Sequence, residues 1–136
     1  MIGEHRNHII IIDDSSTMRT LLADMLNKFD IQTLAAESME LGFMDLERKH
    51  FDIAIVDIFM PGMGGLEGIK KIRQLGNDVK IIAISAGHAG MDKNQTLKAA
   101  TKLGADAALA KPFGEEDLMG VVNDLLGKEE MAVSEA

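Results

Sequence analysis

The 136 residues include no cysteine. That excludes a disulfide framework, thiolate metal sites and a thiol nucleophile, and it is compatible with a reducing compartment. Basic residues are scarce: 14 Lys and Arg stand against 22 Asp and Glu, for a formal charge of −8. A duplex backbone is a poor partner for such a chain, since binding there rests on neutralising phosphates with Lys and Arg, so no nucleic-acid role is expected. The N-terminus offers one apolar run, Ile9 to Ile12, far short of a signal-peptide core or a membrane span. No membrane insertion is expected, and the location is read as cytoplasmic. No repeat period and no Pro- or Ser/Gly-rich linker divides the chain. What is present, 46% hydrophobic and 26% charged residues, suffices for one domain with its own core. That domain is placed at residues 1–127. Residues 128–136 turn acidic and lose the apolar period, which reads as a disordered tail.

Short β-branched runs alternate with longer segments of helical period, the pattern of βα units around a parallel sheet. Strands are expected at His8 to Ile12, Ile31 to Ala35, Ile53 to Val56, Val79 to Ile84 and Ala105 to Ala110. The first and third are uninterrupted apolar runs, suited to burial on both faces. Between them lie helical patterns carrying Met18, Leu21, Leu22, Met25 and Leu26, capped by Ser15 or Ser16, then Leu41, Phe43, Met44 and Leu46, capped by Ser38. Leu66, Ile69, Ile72 and Leu75 are expected to face inward on a third helix that stops at Gly76, with Lys70, Lys71 and Arg73 on its solvated face. Leu97, Ala100 and Leu103 mark a fourth helix stopping at Gly104, and Leu118, Val121, Val122, Leu125 and Leu126 a fifth. The methionines at apolar helix positions, such as Met18, Met25 and Met44, read as core filling.

Ligands of open α/β sheets bind beyond the carboxyl ends of the strands. Those ends carry Asp13 and Asp14 after the first strand, Asp57 after the third, Ser85 after the fourth and Lys111 after the fifth. Right-handed crossovers place all of them on one rim. Two like charges about 4 Å apart repel by roughly 4 kcal/mol at an effective dielectric near 20. Three carboxylates in one crevice therefore need raised pKa values or a bound cation. All-oxygen ligands favour a hard ion, Mg²⁺ first. A carboxylate, a hard metal, a lysine and a hydroxyl are what phosphoryl transfer to an aspartate requires. Other readings of the motifs fail. Gly62 and Gly64 would need a third glycine at Glu67 to make a dinucleotide loop, and no Walker sequence occurs. His5, His8, His50 and His88 share no metal-ligand spacing.

The segments Ile9-Ile10-Ile11-Ile12-Asp13-Asp14-Ser15, Asp57-Ile58-Phe59-Met60-Pro61-Gly62-Met63-Gly64-Gly65, Ile84-Ser85-Ala86 and Ala110-Lys111-Pro112-Phe113 together resemble the receiver domain of two-component response regulators. The resemblance covers about residues 8–127 and is to the stand-alone, chemotaxis-regulator-like type. It implies a flavodoxin-like (βα)5 three-layer sandwich with strand order 2-1-3-4-5. It also implies that Asp57 accepts a phosphoryl group from a sensor histidine kinase or a phosphotransfer protein. Asp13, Asp14, Asp57 and the Phe59 carbonyl are implied as Mg²⁺ ligands, Asp13 through water. Ser85, Lys111 and the Ala86 backbone are implied as phosphoryl contacts, and the Lys111–Pro112 peptide as cis. A downstream protein would bind the face of helix four, strand five and helix five. The chain would not be an enzyme beyond self-phosphorylation from small donors and autodephosphorylation.

Two departures bear on these implications. Gly64 stands where the family usually has Asp, so the cap of the third helix differs. Ala108 stands where an aromatic usually turns inward on signalling, so the loop after Ser85, with Gly87 and Gly90, is the expected movable element. Ala108 also leaves open an interaction module with little phosphorylation-dependent switching. A Mg²⁺-dependent aspartyl-phosphate hydrolase is the other alternative. Such enzymes carry a general acid two residues after the nucleophile, where this chain has Phe59.

Overall fold

Strands that are apolar on both sides are satisfied only when both faces of their sheet are covered. The computed structural model describes residues 7–59, 64–76, 78–86 and 92–127. Strands β1 (His8–Ile12), β2 (Gln32–Ala36), β3 (Ile53–Asp57), β4 (Lys80–Ser85) and β5 (Ala107–Ala110) form one parallel sheet in the order β2-β1-β3-β4-β5. Helices α1 (Ser16–Asn27), α2 (Met39–Arg48), α3 (Gly65–Gln74), α4 (Lys93–Leu103) and α5 (Glu115–Leu126) follow their strands in turn. This is the flavodoxin-like topology that the sequence predicts.

Successive strand side chains point to opposite faces, and the two cores divide accordingly. Ile9, Ile11, Ile53, Ile55, Ile82 and Ile84 pack with Leu22 and Leu26 of α1 and with Leu118, Met119 and Val122 of α5. The alternate residues Ile10, Ile12, Ala54, Val56, Ile81 and Ala83 pack with Met39 and Leu46 of α2, Ile69 and Ile72 of α3 and Ala100 of α4. Three layers result. Ile9 to Ile12 have no solvent exposure, and burial on this scale stabilises by about 2–3 kcal/mol per side chain.

Several apolar residues that mark the helical periods do not face the core, Leu75 among them despite the inward place expected for it. Leu21, Leu41, Met44, Leu75 and Leu103 are all exposed, because a helix lying on a sheet buries only a stripe of its surface. On α2 that stripe is Met39, Gly42 and Leu46, and Leu41 and Met44 lie outside it. The central position is a glycine because a Cβ at Gly42 would stand 2.6 Å from Ile12 Cδ1. Strand β5 begins at Ala107 and not at Ala105, whose N–H instead closes the end of α4 on the Ala100 carbonyl at 3.0 Å.

Arg73 also departs from expectation. Lys70 and Lys71 are exposed as read, but Arg73 is half-buried. It donates to the carbonyls of Gly104 at 2.9 Å and Val79 at 2.6 Å and to the Asp106 carboxylate. Asp106 Oδ2 also accepts the Ile81 N–H at 2.8 Å. The planar fork thus ties α3 to the start of β4 and to the turn before β5.

Candidate functional site

The register of the sheet brings the polar strand ends to one rim. Ile12 pairs with Val56, Asp57 with Ile84, and Ser85 with Ala110. Asp13, Asp14, Asp57 and Lys111 therefore leave their strands at the same end. Carboxylate oxygens of Asp13, Asp14 and Asp57 lie within 4.8 Å of one another. The Lys111 Nζ is 3.6 Å from Asp13 Oδ2 and 3.9 Å from Asp57 Oδ2. The Lys111–Pro112 peptide is cis, and the Lys111 N–H donates to the Ser85 carbonyl at 2.8 Å. Ser85 is fully buried at the end of β4, while Ala86 beyond it is exposed.

Asp57 is buried, and its Oδ1 accepts the Phe59 N–H at 3.2 Å. Burial pushes its carboxyl up to about 6, reinforced by the Asp13 charge. Lys111 and the Phe59 N–H pull the other way, and Asp14 adds a smaller upward push. The cause is physical: a carboxylate taken out of water beside another acid holds its proton more tightly.

Asp13 is fully buried. Its N–H donates to the Ala36 carbonyl at 3.1 Å, and its Oδ1 accepts the Ser15 N–H at 2.9 Å. Its Oδ2 has no hydrogen-bond partner among the described residues. Ser15 caps α1 as expected, its hydroxyl accepting the Met18 N–H at 3.2 Å. Below the site, Gly64 caps α3 without a side-chain bond. A Cβ at the next residue, Gly65, would lie 2.3 Å from the Asp57 carbonyl oxygen and 2.5 Å from Ile58 Cα. Only glycine lets α3 start this close to the acidic strand. Gly65→Ala is expected to destabilise the protein by about 1–3 kcal/mol, read as a lower urea midpoint. An unchanged midpoint would show that the backbone has room to spare.

Of the site residues singled out in the sequence, Asp13, Asp14, Asp57 and Lys111 come together in this crevice, and Ser85 and Ala86 lie at the end of β4. Phe59 lies two residues beyond Asp57, its ring against the α2–α3 side of the core. The expected glycine loops at Pro61 to Met63 and Gly87 to Gly90 lie outside the described residues. At the site, the Arg19 guanidinium Nη1 donates to the Asp13 carbonyl at 2.7 Å, a contact with no counterpart in the sequence pattern. An arginine one turn into a helix carries no signal that it reaches back to a backbone oxygen.

A buried aspartate at the end of the central strand, two further acids and a lysine on this topology define a receiver-like site. The chain belongs to the response regulator receiver domain family, whose model matches residues 9–123. The chemotaxis protein CheY of Halobacterium salinarum is 30% identical over 119 residues, 87% of this chain and 95% of that protein. Sporulation initiation phosphotransferase F of Bacillus subtilis is 29% identical over 118 residues, 87% and 92% of the two chains. Sensor histidine kinase RcsC of Escherichia coli is 33% identical over 104 residues, 76% of this chain but 10% of the kinase, so the likeness there spans a small part of a much longer protein. Among solved structures, a CheY-like receiver domain protein from Methanospirillum hungatei superposes with a TM-score of 0.81 at 25% identity. It covers 90% of this chain and 95% of its own. Among the described residues no helix is long and apolar enough to cross a membrane.

Proposed function

We propose that Asp57 accepts a phosphoryl group from the phosphohistidine of a sensor histidine kinase or a histidine phosphotransfer protein, and that the aspartyl phosphate switches a protein-binding surface. The observation that carries this reading is the juxtaposition of the buried Asp57 carboxylate with Asp13, Asp14 and Lys111 at one sheet rim. In the transfer, an Asp57 oxygen forms the new bond to phosphorus while the phosphorus–nitrogen bond breaks and its electron pair stays on the imidazole. Lys111 stands where negative charge collects on the phosphoryl oxygens, and Ser85 and the Ala86 backbone at the end of β4 are assigned to the same oxygens.

The residues fit a divalent cation. Three carboxylates supply hard oxygens within 4.8 Å of one another, and the buried Asp13 Oδ2 lacks a hydrogen bond among the described residues, as an atom reserved for a cation or its water does. Asp13, Asp14, Asp57 and the Phe59 carbonyl would hold it, with Mg²⁺ the favoured ion. When bound, Mg²⁺ offsets the mutual repulsion of the acids and the charge of the incoming phosphoryl group.

The surface assigned to the output is the face of α4, β5 and α5. Ala108 of β5 faces the α2–α4 side and pairs with Ala83, so no ring is available there to turn inward. A cytoplasmic location accords with this reading.

Hydrogen exchange with Mg²⁺ and beryllofluoride, a phosphoryl mimic, tests both halves. Slowed exchange is expected at residues 13–14 and 57–65, with altered exchange across residues 86–111. No response at residues 13–14 and 57–65 would overturn the phosphoacceptor assignment. A response confined to those residues would instead favour an interaction module that does not switch, the reading that Ala108 keeps in view.

A further inference from the structure

Asp13 presents four polar groups to its surroundings, and three are fixed by short bonds. The N–H goes to the Ala36 carbonyl at 3.1 Å, Oδ1 takes the Ser15 N–H at 2.9 Å, and the carbonyl takes Arg19 Nη1 at 2.7 Å. The fourth, Oδ2, is left toward Lys111 and the acidic crevice. Two of the three bonds use backbone partners, which any sequence with Asp at this position supplies. The third depends on one side chain.

Arg19 is well placed to act as a brace. It sits in the first turns of α1, where its own N–H is bonded to the Ser15 carbonyl at 3.0 Å. Its guanidinium therefore ties the start of the helix back to the peptide that follows β1, between Asp13 and Asp14. The Asp13 carbonyl and the Asp14 N–H belong to one planar peptide. Holding that carbonyl fixes the direction in which the chain leaves for Asp14. Asp14 is exposed, so the peptide plane, more than packing, sets where its carboxylate stands relative to Asp57. A rigid fork with delocalised charge suits a short bond to a carbonyl better than a flexible ammonium does.

We infer that Arg19 is a positioning residue for the acidic turn: it orients Asp13 and Asp14 toward Asp57 and thereby sets the affinity of the site for a divalent cation. The inference rests on the metal-assisted reading given above. Residues that orient ligands without touching the ion typically change metal affinity by about 10-fold or more when replaced.

The test is calorimetric titration of the full chain with Mg²⁺ alone. Arg19→Met keeps the aliphatic stem and removes the fork, and Arg19→Gln is read in parallel so that loss of the fold in one variant leaves the other to decide. Both are expected to raise the half-saturating Mg²⁺ concentration by about tenfold. Arg19→Lys, which retains a charged donor but not the fork, is expected to recover only part of the affinity. A lower melting temperature without Mg²⁺ but unchanged Mg²⁺ affinity would mean that Arg19 merely supports the fold, and would overturn the inference. A wild-type chain that does not bind Mg²⁺ would instead overturn the metal-assisted reading itself.

Discussion

Asp57→Asn is expected to make the metal-free protein more stable at pH 7.5 by about 3 kcal/mol, a rise in melting temperature of roughly 10 °C. The gain comes from removing a buried charge. Asp57 titrates near 6 in the native state against 3.8 when unperturbed, chiefly because burial penalises the carboxylate. The native state therefore keeps a proton that the unfolded chain releases between pH 3.8 and 6. Stability falls as pH rises through that window, and the full cost is present above it. An amide of the same shape carries no such cost. The gap should shrink to about half by pH 5 and close only below about pH 3, where the unfolded carboxyl is also largely protonated. Mg²⁺ should narrow it from the other side, by stabilising the wild type in proportion to its occupancy of the site. Thermal melts of both proteins at pH 7.5 and pH 5 measure the effect. Equal melting temperatures at pH 7.5 would mean that Lys111 compensates Asp57 fully.

How much of this was legible in the sequence differs from element to element. The first and third strands could be read directly, because unbroken apolar runs such as Ile9 to Ile12 have few structures that bury both faces. The convergence of polar strand ends was equally legible: Asp13, Asp14, Asp57, Ser85 and Lys111 stand at or just past strand ends, and parallel crossovers bring those ends to one rim. The burial of α2 was not. Its inward stripe is centred on Gly42, which contributes no hydrophobic signal, while Leu41 and Met44 carry that signal outward. Side-chain bonds to backbone carbonyls were also invisible. Arg73 reaches Gly104 and Val79, and Arg19 reaches Asp13; an acceptor present in every residue leaves no mark on sequence. The partner of Arg73 that does carry a mark, Asp106, lies 33 residues away, and only the fold brings the two together.

The largest expected effect is on phosphoryl acceptance. Asp57 is the acid at the end of the central strand, buried, with Lys111 Nζ at 3.9 Å and the Phe59 N–H holding its second oxygen. With acetyl phosphate as donor, an Asp57 oxygen forms the bond to phosphorus and acetate leaves with the electron pair. Asparagine has no carboxylate to attack with, and Asp13 and Asp14 leave a different strand, β1. Mass spectrometry of the chain after incubation with acetyl phosphate and Mg²⁺ is the most direct test. The account predicts one hydroxylamine-labile phosphoryl group on Asp57 in the wild type, none when Mg²⁺ is chelated, and none in Asp57→Asn. Stoichiometric labelling of Asp57→Asn, or a wild-type chain that stays unlabelled under the same conditions, would contradict it.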